Sequence, residues 1–394
     1  MKYNFSNRAL GVPDAGIRFM VNYASKYDDV VSLGRGTPLF PTPSFIYDYI
    51  HNRSKTDPEI GMYSGVRIEN ELKNLIVERI EKDYAFKPSL DEIYLTLGGI
   101  GGLFASIMAL LQKNDEVIYF DPGYPLHLSQ IHIAEARPIF VSYDERNDWS
   151  LDLEKLQSSI TPKTKVIILT NPNNPTGTIL SEKEVRELSE IVLKNNLILI
   201  LDEAYDFLTY ENKLFSPLRL PELRNNLIVS KSFSKEFALT GWRIGYLYAN
   251  KELISKINDI HFYFTIGLVT PAVVAAIAAL SDKRGELVVD EFKQKFSESR
   301  DVICERLEKL PKLFSFSKPQ GAYYVFPKII GFNDLTALDF AKLLVDEAHV
   351  ITIPGDSMGP AGKGHVRLSF AASPTVIHKA FDRIDAFAKK HDLL

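Results

Sequence analysis

Between residues 90 and 250 the chain alternates short apolar runs with longer amphipathic stretches. The runs at 92–97, 116–120, 137–141, 165–170, 197–201, 227–230 and 243–248 are rich in Ile, Leu, Val, Phe and Tyr. Several are apolar without alternation, the pattern of strands covered on both faces. Helical patterns lie between most of them. In the stretch 181–195, Ser181 followed by Glu184 spells a capping box. The alternation predicts an α/β fold: a mostly parallel sheet with helices on both faces.

After about residue 283 the pattern changes. A long charged amphipathic helix at 284–310 leads into short strands at 315–317, 322–326, 350–353 and 365–369, and a last helix starts at Pro374. This predicts a second, smaller α+β domain. The most apolar segment, 266–280, is too short for a bilayer and is interrupted by Thr270-Pro271, so it reads as a buried core helix.

A length of 394 residues suits two domains, and 45% apolar with 24% charged residues is a globular balance. The net charge of -4 gives no basic field for a phosphate backbone, so no nucleic-acid partner is expected. One cysteine, Cys304, excludes an internal disulfide and fits a reducing compartment. The first residues lack the apolar stretch of a signal peptide. A cytoplasmic location without membrane association is the expectation.

Five segments can carry chemistry. Ser230-Lys231-Ser232-Phe233-Ser234-Lys235 follows a strand and precedes Thr240-Gly241-Trp242-Arg243. A lysine becomes a covalent catalyst when burial or cationic neighbours leave its amine neutral; taken alone, the run reads as a solvated turn with surface lysines. Asn171 to Gly177 (Asn-Pro-Asn-Asn-Pro-Thr-Gly) also follows a strand, where open α/β sheets place ligands, although Asn, Pro and Gly make turns without any ligand. Asp202 ends a buried run, where a carboxylate can cap a helix, bind Mg²⁺ or pair with a protonated ring nitrogen. Gly98-Gly99-Ile100-Gly101-Gly102 opens an apolar helix and can admit an anion, but it lacks the spacing of a dinucleotide fingerprint. Arg367 lies in a strand-like run and needs an anionic partner, either a substrate carboxylate or an internal acid.

Together and in this order, these segments resemble the fold-type I aminotransferases of classes I and II, nearest the branch of aspartate and aromatic aminotransferases. Asn-Pro-Asn-Asn-Pro-Thr-Gly, Asp-Glu-Ala-Tyr (202–205) and Ser-Phe-Ser-Lys followed by Thr-Gly-Trp-Arg-Ile-Gly carry the resemblance, which runs from about Ile17 to the last helix. It implies pyridoxal 5'-phosphate (PLP) held as a Schiff base on Lys235, with Asp202 on the ring nitrogen and Tyr205 and Asn174 on the ring oxygen. It implies that Tyr124 stacks on the ring, and that the Gly99 and Ile100 backbone, Ser232 and Arg243 hold the phosphate. Arg367, with the Gly36 backbone and Asn174, would bind the substrate, and Tyr63 would reach the phosphate of a neighbouring subunit in a homodimer. Some relatives carry a hydroxyl or lysine where Ile100 stands, so backbone N–H groups should do more here. No metal is implied. The implied organisation is a large PLP-binding domain over 48–283 and a small domain built from both termini, 1–47 and 284–394.

The expected reaction moves an amino group from an L-amino acid to a 2-oxo acid such as 2-oxoglutarate. The alternatives are a C–S β-lyase, a decarboxylase or a cyclising enzyme on the same fold, or an aspartate-specific aminotransferase. A PLP-binding transcriptional regulator would need an added DNA-binding domain, for which the sequence before Ile17 leaves no room. His261-Phe262-Tyr263-Phe264-Thr265 is aromatic and holds no arginine where some aspartate enzymes carry one, which favours aromatic or bulky neutral donors. Arg35, beside Gly36, can serve an acidic side chain or a structural ion pair.

Overall fold

The computed structural model describes residues 3–12, 16–38 and 40–394; parts of the expected 1–47 segment therefore lie outside the described residues. Seven strands form one sheet in the order Ile93–Thr96, Gly245–Ala249, Leu227–Ser232, Ile198–Asp202, Thr164–Thr170, Glu116–Asp121, Arg137–Ser142. All neighbours are parallel except Gly245–Ala249, which runs antiparallel to both of its partners. Each expected strand is present, and the sheet is mostly parallel as expected.

Both faces of the sheet are buried, which is why the runs do not alternate. Val117, Val166, Ile168, Ile200, Ile228 and Leu247 pack on one side with Leu103, Ile107 and Ile257. Ile118, Ile167, Leu169, Leu199, Leu201 and Val229 belong to the larger cluster on the other. Adjacent residues of one strand thus enter different cores, and each must be apolar.

The capping box forms: Ser181 and Glu184 cap the helix Glu182–Lys194 through both side chains. The expected helix at 266–280 is corrected. Helix runs from Thr270 to Ser281, with Pro271 in its first turn rather than breaking it. Proline tolerates that position because its missing N–H would have no partner there. Ile266 has a φ of 61°, and Ile266 and Val269 are exposed, so they are not core. The run at 243–248 is also shorter than expected, because Arg243 turns in the left-handed region at φ 58° and the strand begins at Gly245.

Beyond the helix Arg284–Glu308, Val366–Ser369 pairs antiparallel with both Tyr324–Val325 and Ile353–Pro354. The early strand Val31–Ser32 pairs in parallel with Val350–Ile351. The last helix, Pro374–Lys390, packs along Arg284–Glu308. Among the described residues no helix is long and apolar enough to cross a membrane.

Candidate active site

Sheet register brings the chemistry to one edge. Thr170, Asp202 and Ser230 are neighbours across three parallel strands. Ser232, Gly245 and Thr96 align across the antiparallel pairings, so the Gly98 turn and Arg243 reach the same edge. There a cavity of about 400 Å³ opens, and eleven of the twelve residues singled out above line it: Gly36, Gly99, Ile100, Tyr124, Asn174, Asp202, Tyr205, Ser232, Lys235, Arg243 and Arg367. Tyr63 does not; its ring is 75% exposed on the surface of the single chain.

Lys235 sits in the short helix Phe233–Glu236, which Ser232 caps through the Ser234 N–H. Its Nζ donates to Gly36 O at 2.5 Å. Burial first, then the Arg243 and Arg367 cations, push the amine down to about 8, against the opposing pull of Asp202. Lys231, four residues earlier, has the opposite surroundings. It is buried against Glu203 at 2.5 Å, Asp206 and the Tyr84 hydroxyl at 2.9 Å, and these hold it charged. It is therefore neither a solvated lysine nor a free amine.

Asp202 is buried at its strand tip. One oxygen accepts from the Ala204 N–H at 3.2 Å and the other lies 3.3 Å from His127 Nε2. Tyr205 is buried, and burial raises its pKa; its hydroxyl lies 3.0 Å from that of Tyr324. The Tyr124 ring meets His127 edge-on at 5.3 Å. His127 and Tyr324 were not read from the sequence. No local motif marks either, since each is defined by a partner far along the chain.

Arg367 is 1% exposed. It donates to Asn174 Oδ1 at 3.0 Å and Gly34 O at 3.1 Å, stands 4.4 Å over the Tyr324 ring, and leaves Nε without a partner. Among the described residues no acidic side chain pairs with it, which favours an incoming carboxylate over an internal ion pair. A buried cation with an unused N–H suits an incoming carboxylate. Gly36 presents its carbonyl, which accepts from Tyr323 as well as Lys235. Arg35 is exposed and has no described partner.

An anion cradle lies at the other end. Gly98 has a φ of +66°, and a Cβ there would stand 2.7 Å from Arg243 Nη2, so only glycine lets the guanidinium close over the turn. The helix Gly98–Leu110 begins at this turn, and no described bond uses the N–H of Gly99 or Ile100. The Ser232 hydroxyl and Arg243 flank them. Free N–H groups, a helix N-terminus and a guanidinium suit a phosphate group.

The profile of the family "Aminotransferase class I and II" matches residues 28–384. An aspartate aminotransferase of Pyrococcus horikoshii is 32% identical, over 98% of this chain and 97% of its own. Aromatic-amino-acid aminotransferase 2 of Thermococcus litoralis is 30% identical over 99% of each. The solved structure of an alanine aminotransferase from Pyrococcus furiosus superimposes with a TM-score of 0.91 at 31% identity, covering 98% of this chain and all of that one. Their names differ in the amino acid and agree on the reaction. The chain belongs to the class I and II aminotransferases and transfers amino groups between amino acids and 2-oxo acids.

Proposed function

We propose that the cavity holds PLP on Lys235 and that the enzyme prefers aromatic or bulky neutral amino donors, with 2-oxoglutarate or a similar 2-oxo acid as acceptor. The donor set fits this cofactor: an anion cradle at Gly99, Ile100, Ser232 and Arg243, an acid at Asp202, and an amine that can be neutral. Bound PLP supplies the carbonyl that takes the amino group and a ring that draws electrons from the substrate Cα. Lys235 Nζ takes the Cα proton and returns it on the other side of the transfer. Asp202 would hold a proton on the ring nitrogen, and Tyr205 and Asn174 would hydrogen-bond the ring oxygen. Tyr124 would stack on the cofactor ring. Arg367 would grip the substrate α-carboxylate and so hold the Cα–H within reach of Lys235.

The preference for bulky donors rests on the apolar part of the wall: Ile17, Leu103 and Leu126 face the cavity, and its cations are Lys235, Arg243 and Arg367, each already engaged. A donor panel tests this. Phenylalanine or tyrosine should exceed aspartate in kcat/KM by about tenfold or more, the discrimination given by burying an apolar side chain rather than an unpaired carboxylate. A preference for aspartate overturns it. Without acceptor, one equivalent of 2-oxo acid per site should form from the donor; ammonia or an amine in its place would indicate a lyase or decarboxylase.

The Lys235 amine gives a pH signature. The rate at which the apo protein takes up added PLP should rise about tenfold per pH unit and level off near pH 8, because only the neutral amine attacks. A climb continuing past pH 10 would mean an ordinary lysine.

The working form we propose is a homodimer. Met62, Tyr63, Val66, Ile266 and Val269 are exposed, and their segments join through Thr270 Oγ1 to Met62 O and the Leu268 N–H to Ser64 Oγ. A contiguous apolar surface of this kind calls for a protein partner, and a second copy would bring Tyr63 to the neighbouring phosphate. Sedimentation should give twice 44.5 kDa; a stable, fully active monomer rules the dimer out.

A further inference from the structure

His261 lies on the last turn of the helix Lys251–Thr265 and is 1% exposed. Its Nε2 stands 3.2 Å from the N–H of Leu97, the residue that caps the helix Gly98–Leu110. An N–H can only donate, so Nε2 is the acceptor and the ring proton sits on Nδ1. Nδ1 in turn faces the Tyr94 hydroxyl at 3.1 Å. Burial pushes the imidazole down to about 4, so the ring is neutral near pH 7 and can accept. The ring meets Tyr94 edge-on at 5.3 Å and Phe264 at 4.8 Å, and Phe264 meets Phe104 of the second helix at 5.9 Å.

The bonds that hold the turn share one property. Thr96 Oγ1 donates to Gly98 O, Ser230 Oγ to Gly99 O, Gln130 Nε2 to Ile100 O, and His261 takes the Leu97 N–H. None uses the N–H of Gly99 or Ile100. We infer that His261 is a positioning residue for the cofactor phosphate: by accepting the Leu97 N–H it fixes the turn so that the Gly99 and Ile100 N–H groups converge on one anion. This rests on the reading of the turn as the phosphate cradle. Leu97 adjoins Gly98, whose left-handed φ sets the direction of the helix start, so a shift at Leu97 re-aims both amides. Histidine suits the task because it accepts on one nitrogen while the other faces the Tyr94 and Thr265 hydroxyls.

The test compares PLP with pyridoxal, which lacks the phosphate, by equilibrium titration of the whole apo protein. His261→Phe keeps a ring but no acceptor. It should weaken PLP about tenfold and pyridoxal less than about twofold, the scale of one orphaned N–H. His261→Gln places an acceptor near Nε2 and should restore most of the PLP affinity. Equal weakening of both ligands, or no weakening, overturns the inference, because general loosening would not single out the phosphate. Tyr94→Phe removes the nearer of the two hydroxyls that face Nδ1, leaving Thr265 Oγ1 at 3.4 Å, and should show the same selectivity, about threefold; it decides the matter if His261→Phe does not fold. Arg243→Gln separates the two readings. If it alone loses PLP selectively, the cradle stands and the role of His261 falls; if no variant is selective, the cradle itself falls.

Discussion

Replacing Lys235 by alanine is expected to lower turnover by at least about 10⁴-fold, the combined size of losing a covalent anchor and an acid–base group. The expectation rests on the contrast between two lysines in one segment. Lys235 is buried beside two arginines and is pushed down to about 8, so near neutral pH a useful fraction of its amine is uncharged. Lys231 is buried beside two carboxylates, which keep it protonated and unable to attack. Their side chains also leave the sheet edge differently. Lys231 is the fifth residue of the strand Leu227–Ser232, and Lys235 lies beyond it in a short helix that aims it into the cavity. Borohydride reduction of the loaded enzyme should therefore fix the cofactor on the peptide containing Lys235, at that lysine alone. A label on Lys231, or normal transamination by Lys235→Ala, refutes the assignment.

The sheet was legible because its strands are buried on both faces, so each stands out as a short β-rich run even where alternation is lost. Edges were harder. Arg243 continues an apolar run in sequence, yet its own φ of 58° puts it in a left-handed turn and the strand begins only at Gly245. Thr270-Pro271 looks like a break because proline usually ends a helix, but here it begins one. In the site, the residues singled out inside recognisable segments come together around one cavity. Tyr324 and His127 were missed because their meaning comes from Tyr205 and Asp202, which only the packed chain brings near. The burial of Lys231 was invisible for the same reason: its acids, Glu203 and Asp206, lie past the tip of the adjacent strand.

Asp202→Asn should keep PLP bound yet lower kcat by about 10³-fold, or about 4 kcal/mol in the barrier. Asparagine has nearly the same shape, and its amide oxygen can still accept the Ala204 N–H, now made at 3.2 Å. What it removes is the charge. With PLP bound, a carboxylate at this position would keep a proton on the ring nitrogen and so make the ring a better acceptor of charge from the substrate Cα. A neutral amide cannot hold that proton. The barrier should therefore rise while Arg367, Arg243 and Lys235 stay in place. A second reading follows from the same charge. Asp202 pulls the Lys235 amine upward, so removing it should move the pH midpoint for PLP uptake below about 8. Wild-type kcat with full PLP occupancy would remove the ring-nitrogen role, and an unmoved midpoint would show that Asp202 does not act on Lys235 at all.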